Sequence, residues 1–213
     1  MAEQTQTVPD LLDTTQALHV VAEVVLAAPQ YAATHELALR VVPGGFATTA
    51  GPEVSYADGA VRRDQHVVPV DRRTPRALLD ELGLPVASLS EVYADTTGAD
   101  LDTPLALAPT MASWLVRCWA AGDAALRRLD PGQTPVLWPE HLDVAISLDE
   151  VNYGVSPNDG FLSVPYAYVG PWSVPPADDF WTESFGAVHL LTDSVNADEV
   201  LSFFQDGRAR LGG

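Results

Sequence analysis

The spacing of apolar residues changes along the chain, and each change predicts a different element. Near the start, apolar positions recur every three to four residues, which is typical of an amphipathic helix. These positions are Leu11, Leu18, Val21 and Val25. The spacing predicts a helix over residues 10–28. Pro29 is expected to end it, because proline lacks a backbone N–H.

Residues 36–63 follow a two-residue period instead, which predicts strands. The alternating apolar positions are Leu37, Leu39 and Val41. Pro43-Gly44-Gly45 marks one turn, and Asp58-Gly59 is a strong signal for a second, two-residue hairpin turn. Two hairpins in so short a stretch imply an antiparallel sheet.

Capping and turn residues predict three further helices. Thr74-Pro75 suits the start of a short helix that Gly83 ends. A long helix is expected from about Leu105 to Leu129, closed by Asp130-Pro131-Gly132. Asn196-Ala-Asp-Glu199 fits a capping box, with Asn as the cap, that begins a final helix.

The last third of the chain predicts mainly strands. They are expected at residues 142–148, 151–155, 165–169 and 187–191. Because helices and hairpins fall in separate blocks, the fold class is α+β: antiparallel sheet or sheets with a long central helix and a C-terminal helix. The blocks suggest an N-terminal unit over residues 1–132 and a C-terminal unit over residues 133–213. One compact body is equally compatible with the length.

A tight turn at Asp149-Glu150 would fix the register of the two strands beside it. Alternate residues then form an apolar face, with Val144 opposite Val155 and Ile146 opposite Tyr153. The opposite face carries small and polar residues, namely His141, Asp143, Ala145, Ser147, Asn152, Gly154 and Ser156. This face is either a ligand surface or the solvated side of a half-buried hairpin.

This segment supplies the candidate site. His141 and Asp143 lie two apart on one strand face, a spacing that suits proton transfer or one edge of a metal site. They are the candidate catalytic residues. The candidate ligand-binding residues are Trp138, Glu140, Asn152, Tyr153, Asp159, Tyr166, Tyr168 and Trp172. Aromatic residues at strand spacing could instead fill the core, and the segment from Ser156 to Gly160 could be a plain turn.

Composition excludes several classes of function. The 213 residues are 47% hydrophobic, enough for a sizeable core, and the net charge is −18. Such a charge opposes binding to nucleic acid or to an anionic membrane surface. All 11 basic residues are Arg. A lysine Schiff base and a Walker A phosphate loop are therefore impossible.

Cysteine usage and the N-terminus indicate a cytoplasmic protein. The single cysteine, Cys118, cannot form an internal disulfide and is expected to be a buried, inert thiol. The first residues carry no basic region typical of a signal peptide. Neither HExxH, nor the nucleophile elbow, nor GxGxxG is complete. No cofactor is predicted, although a divalent metal held by His141 with His189 remains possible.

Three segments near the C-terminus together resemble a family of uncharacterised actinobacterial proteins. They are Leu137-Trp-Pro-Glu-His-Leu-Asp143, Asn152-Tyr-Gly-Val-Ser-Pro157 and Pro165-Tyr-Ala-Tyr-Val-Gly-Pro-Trp172. The likeness covers about the last eighty residues and implies a discrete C-terminal unit. The resemblance implies no activity, because none is assigned to that family.

These observations leave three hypotheses for function. The first is a non-catalytic protein that binds a small molecule or a protein partner through residues 138–172. The second is a hydrolase or isomerase in which His141 is the general base and Asp143 is either its orienter or a carboxylate partner, with or without a divalent metal. The third is a structural subunit of a larger assembly, steered by its negative charge.

Overall fold

The computed structural model describes residues 3–192 and 194–212, with side chains described from Asp10 onward. Its centre is one ten-stranded antiparallel sheet in the order β10-β9-β8-β7-β6-β1-β2-β3-β4-β5. The strands are β1 (Leu39–Val42), β2 (Gly45–Thr48), β3 (Ser55–Ala57), β4 (Ala60–Arg63), β5 (His66–Pro69), β6 (Val136–Trp138), β7 (Asp143–Leu148), β8 (Val151–Ser156), β9 (Tyr166–Pro171) and β10 (Ala187–Leu190).

The described α-helices are α1 (Glu3–Val20), α2 (Ala28–Thr34), α3 (Pro75–Glu81), α4 (Pro109–Leu129) and α5 (Ala197–Arg210). α4 and α5 pack on the same face of the sheet, because Gly122 of α4 lies against Val155 and Gly207 of α5 lies against Val169. We call the face that α4 and α5 cover the inner face and the opposite one the outer face, and α1 packs against α4. The predicted α+β class, with an antiparallel sheet, a long central helix and a C-terminal helix, is confirmed.

The N-terminal helix continues past Pro29, so the prediction that it ends there is wrong. A π-helical segment, Val21–Ala27, joins α1 to α2, and the N–H of Ala28 donates to the carbonyl of Glu23, five residues back. Pro29 then occupies the first turn of α2, where a missing N–H is tolerated. The wider turn before it accommodates the proline ring, so the helix runs on to Thr34.

Strands from both predicted units belong to the same sheet. β1 pairs with β6 at Leu39 and Leu137, one residue from each unit. The fully buried Trp119 of α4 also spans the two parts. Its ring packs edge-on against Phe46 of β2 at 5.9 Å, and its Nε1 donates to the Leu142 carbonyl at 3.0 Å. The sheet and α4 therefore connect the two predicted units.

The predicted register of β7 and β8 is confirmed. Val144 lies opposite Val155 and Ile146 opposite Tyr153, across a turn in which Asp149 and Glu150 have φ of 53° and 63°. The inner-face side chains of these strands are apolar and lie beneath α4 and α5. Gly122 of α4 makes this contact close, because a Cβ there would lie 2.7 Å from Val155 Cγ2.

Local signals also locate the other predicted turns and caps. Asp58 and Gly59, both at positive φ, join β3 to β4. The Thr74 hydroxyl accepts from the N–H of Ala77, and the Asn196 side chain accepts two N–H groups of α5. Strands β5 and β6 were not expected, because their three or four residues are too few to show a period.

The described helix Asp10–Thr34 is long and apolar enough to cross a membrane by length and composition alone. Of its most apolar window, 78% is buried inside the protein, against α4, α3 and the sheet. Such burial is typical of a core helix in a folded domain.

Candidate functional site

A cavity of about 900 Å³ lies where the outer face of β7–β9 meets α1, and we call it the outer-face cavity. One wall is a stripe of α1. The residues of this stripe are Leu12, Asp13, Thr15, Gln16 and His19. Their three- and four-residue spacing places them on one side of the helix. The opposite wall comes from the strands and from the loops that follow β8 and β9.

The centre of the cavity wall is a hydrogen bond from the Tyr168 hydroxyl to Asp143 Oδ2. Asp143 is 7% exposed, and its other oxygen, Oδ1, is buried without a hydrogen-bond partner in the described chain. Gly154 lies between the two residues on β8, and a Cβ there would lie 2.5 Å from Tyr168 Oη. The glycine therefore lets the Tyr168 ring cross β8 and reach Asp143.

The surroundings of Asp143 and Tyr168 raise the pKa of both groups. Burial raises the pKa of Asp143, while the hydrogen bond from Tyr168 acts in the opposite direction. Burial and the Asp143 carboxylate raise the pKa of Tyr168 well above its ordinary value. The phenol therefore stays protonated as the donor. The carboxyl holds its proton to a higher pH than an ordinary aspartate.

The backbone positions Asp143 through a strained turn. Leu142, the residue before it, has φ of 54°. This left-handed backbone conformation costs free energy for a residue with a bulky side chain such as leucine. Its N–H donates to the Trp138 carbonyl at 2.7 Å, and its own carbonyl accepts from Trp119. Leu142 is fully buried, so packing and these two hydrogen bonds hold the unfavourable conformation.

A second polar cluster ties the loop after β8 to α1. The Tyr166 hydroxyl donates to Asp159 Oδ2, and Asp159 Oδ1 accepts two loop N–H groups. The Asn158 amide donates to Thr15 Oγ1 of α1 at 2.8 Å. Burial raises the pKa of Tyr166, so its hydroxyl also remains protonated. This cluster fixes the shape of one end of the cavity.

The other end of the cavity is formed by Asn152 and Trp172. Asn152 Oδ1 accepts from the Ser147 hydroxyl at 2.7 Å and from Trp172 Nε1 at 3.2 Å. The Trp172 side chain is nevertheless 66% exposed at the cavity mouth, near Phe185. The mouth of the cavity thus combines exposed aromatic rings with the Asn152 side chain, which a hydrogen bond holds against Trp172.

Two of the predicted site residues, Trp138 and Glu140, lie beside this cavity, in an adjoining one of about 480 Å³. Trp138, Glu140 and His141 line the smaller cavity together with Asp143 and Tyr168, which line both. His141 also lines both cavities. The structure thus brings most of the predicted residues to one region of the outer face.

The expected pairing of His141 with Asp143 is not formed. No hydrogen bond joins them among the described residues, and His141 Nε2 lies 3.9 Å from Glu140 Oε1. Asp143 takes its hydrogen bond from Tyr168 instead. In the described conformation, Asp143 therefore does not orient His141 through a hydrogen bond.

Two predicted residues lie on the inner face and away from the cavity. Tyr153 is 1% exposed and packs edge-on against Phe204 of α5 at 5.8 Å. The His189 ring lies 2.9 Å from Glu199 Oε1 of α5, so it cannot join His141 on the outer face. In the described chain, no three His, Cys, Asp or Glu side chains are placed to share a metal ion.

Sequence reasoning missed the α1 wall. Thr15 and His19 lie more than a hundred positions from the strands they face, and helical periodicity alone gives no partner for them. A signal was present in His19, a polar residue inside an apolar run. It lies within hydrogen-bonding distance of the Pro139 carbonyl, at 2.8 Å, and burial lowers its pKa.

Comparisons of the chain with models of known protein families, with curated proteins and with solved structures found no match. The resemblance of the C-terminal segments to uncharacterised actinobacterial proteins stays a prediction.

Proposed function

We propose that this protein binds a small organic molecule in the outer-face cavity. The observation that carries the proposal is the buried Asp143 carboxyl in the cavity wall, with one oxygen held by Tyr168 and the other without a partner among the described residues. An unsatisfied buried polar group costs free energy, so its presence in a cavity wall favours a ligand-binding role.

The size and lining of the cavity support this choice over a plain solvated strand face. About 900 Å³ falls within the usual range for small-molecule sites. Tyr166, Tyr168, Trp172 and Phe185 supply ring surface, and Asn152 supplies a fixed polar group. A few oriented polar groups among aromatic walls are typical of a site that selects one ligand.

Native mass spectrometry of the purified protein tests the proposal directly. The native mass is compared with the denatured mass, and any excess identifies a retained small molecule. A fragment library screened by ligand-observed NMR covers a ligand that is lost on purification. Tyr168→Phe is expected to reduce binding. Tyr31→Phe should leave binding unchanged, because the Tyr31 ring packs on His35 at the end of α2 and does not line the cavity.

Two results would count against a binding cavity. One is that no library member binds and no excess mass is found. The other is that the fragments that bind are equally affected by Tyr31→Phe and Tyr168→Phe, since binding would then not depend on the Asp143–Tyr168 pair.

A second candidate is a hydrolase or isomerase that works through proton transfer. The observation that favours it is the raised pKa of Asp143 beside the Tyr168 phenol, because perturbed titratable pairs often mark catalytic sites. His141, exposed at the junction of both cavities, would be the general base. Turnover of a molecule identified by the binding screen, unchanged in both Asp143→Asn and His141→Gln, would exclude this role for them.

A further inference from the structure

We infer that the ligand of the outer-face cavity is an organic cation, with an ammonium group near Asp143 and a ring or hydrocarbon against the aromatic wall. This inference rests on the proposed function and adds the chemical class of the ligand. It stands on three separate observations: the charges of the lining, the rings at the mouth, and the incomplete hydrogen bonding of Asp143.

Apart from the imidazoles of His19 and His141, the titratable side chains of the lining are carboxyl groups and tyrosine phenols. The acidic residues Asp13, Asp143 and Asp159 line the cavity, and its described lining contains no arginine. The whole chain has no lysine and a net charge of −18. The potential in the cavity therefore opposes an anion and attracts a cation.

The rings at the mouth suit the same class of ligand. Trp172 and Phe185 are partly exposed beside the cavity, and Tyr166 and Tyr168 continue the aromatic surface inward, with ring centroids 6.2 Å apart. The negative faces of such rings attract ammonium groups, more strongly where water is excluded. A neutral ligand would gain the contact area but not this attraction.

Asp143 supplies the polar anchor. Its Oδ1 is buried and lacks a donor in the described chain, and an ammonium group carries up to three N–H donors. The titratable neighbours of Asp143 are Tyr166 and Tyr168 from β9 and both Glu140 and His141 from the turn before β7, while His19 of α1 lies near His141. Tyr168 already uses its hydroxyl on Oδ2, so an ammonium group must reach Oδ1, which is buried in the described conformation.

Cation binding has a consequence for the Asp143 proton. Burial favours the protonated carboxyl, and a bound ammonium favours the carboxylate. Wherever the free protein holds Asp143 protonated, binding must therefore release a proton. Calorimetry in two buffers of different ionisation enthalpy measures that release, and Asp143→Asn must abolish the part that comes from this carboxyl.

A matched series of probes tests the charge preference without any variant. Tryptamine, tryptophol and indole-3-acetate share one indole ring and carry an ammonium, a hydroxyl and a carboxylate. Titration calorimetry near neutral pH is expected to show tryptamine binding at least about ten-fold more tightly than tryptophol, with indole-3-acetate weakest. Asp143→Asn should remove most of the preference for tryptamine and leave tryptophol almost unchanged. Asp80→Asn, which removes a carboxylate at an exposed position of α3, should change neither.

The outcomes separate this inference from the proposed function. If tryptophol or indole-3-acetate binds as tightly as tryptamine, and Tyr168→Phe weakens that binding, the cavity stands and the cation class is overturned. If none of the three probes binds, the cation inference is also overturned, and native mass spectrometry and the fragment screen decide the cavity itself. Since the wild-type series carries the main comparison, a poorly folded Asp143→Asn variant would not rescue the inference.

Discussion

Replacement of Gly154 by alanine should separate Tyr168 from Asp143 without altering either side chain. The added Cβ would lie 2.5 Å from Tyr168 Cζ and Oη, where ordinary contacts begin near 3.4 Å. The tip of the ring must therefore retreat by about 1 Å, and a hydrogen bond to a buried carboxylate does not survive such a shift. Gly154 is not among the residues at positive φ, so alanine adds no backbone strain of that kind.

The size of the effect follows from the two contacts that change. Loss of a hydrogen bond to a charged group costs about 1.5–3 kcal/mol. Accommodating an extra methyl in a close contact adds about 1–3 kcal/mol, and a smaller gain from the stiffer unfolded chain offsets part of it. We expect Gly154→Ala to lower the free energy of unfolding by about 3 kcal/mol, or the melting temperature by roughly 10 °C.

Urea unfolding followed by circular dichroism measures this change, and the sheet offers a matched control. Gly170 lies on the same outer face, on β9, and a Cβ there would have only ordinary contacts of 3.6 Å and longer. Gly170→Ala should therefore change stability by less than about 0.5 kcal/mol. In a Tyr168→Phe background, the hydrogen-bond part of the Gly154→Ala effect should disappear, leaving roughly half of it.

Equal stability of the two alanine variants would refute this reasoning, because it would mean that the Tyr168 ring is not held against Gly154. A Gly154→Ala effect of unchanged size in the Tyr168→Phe background would refute the narrower point that the hydrogen bond to Asp143 is what the methyl group breaks.

Three further outcomes are expected. Folding raises the pKa of Asp143, so its protonated form stabilises the protein at low pH, and this contribution is lost as pH rises through the folded-state pKa. In unfolding experiments between about pH 4 and pH 8, Asp143→Asn should therefore weaken the decline of the free energy of unfolding with pH. A decline of unchanged size in the variant would contradict this prediction. The buried Gln30 amide makes four hydrogen bonds with backbone groups around β1 and β2, so Gln30→Met should cost roughly 2–4 kcal/mol in urea unfolding, against almost nothing for the exposed helical Gln205→Met. Cys118 is fully buried and its pKa is raised to about 12, so Ellman's reagent should label it only after unfolding; rapid labelling of the native protein would show that α4 opens.

The sequence predicts those features that depend on neighbouring residues. The Asp149-Glu150 turn and the alternating pattern on either side were enough to pair Val144 with Val155 and to place Asp143 on the outer face. Local capping residues such as Asn196 likewise marked a helix start correctly. In each case the determining interactions lie within a few positions along the chain.

The features that were missed depend on distant contacts or on rare backbone geometry. The extension of the N-terminal helix through Pro29 required a π-helical segment, which no local rule foresees. The α1 wall of the cavity could not be assigned, because Thr15 meets Asn158 only after the sheet has formed. Tyr168 was expected at the site, but its hydrogen bond to Asp143 depends on the bare backbone of Gly154, which pattern reasoning treats as an ordinary strand position.

The strand order also has a consequence for the folding kinetics of the chain. β1–β5 and β6–β10 each form a meander in which every strand pairs with its neighbour in sequence. The pairing of Leu39 with Leu137 joins the two meanders across about 100 residues, and Trp119 supports the same junction through Phe46 and Leu142. We expect the two meanders to form early and their union at β1 and β6 to limit the folding rate. A circularly permuted chain that starts at β6 and joins the end of α5 to α1 by a linker would keep both meanders intact and reverse the order in which they are synthesised.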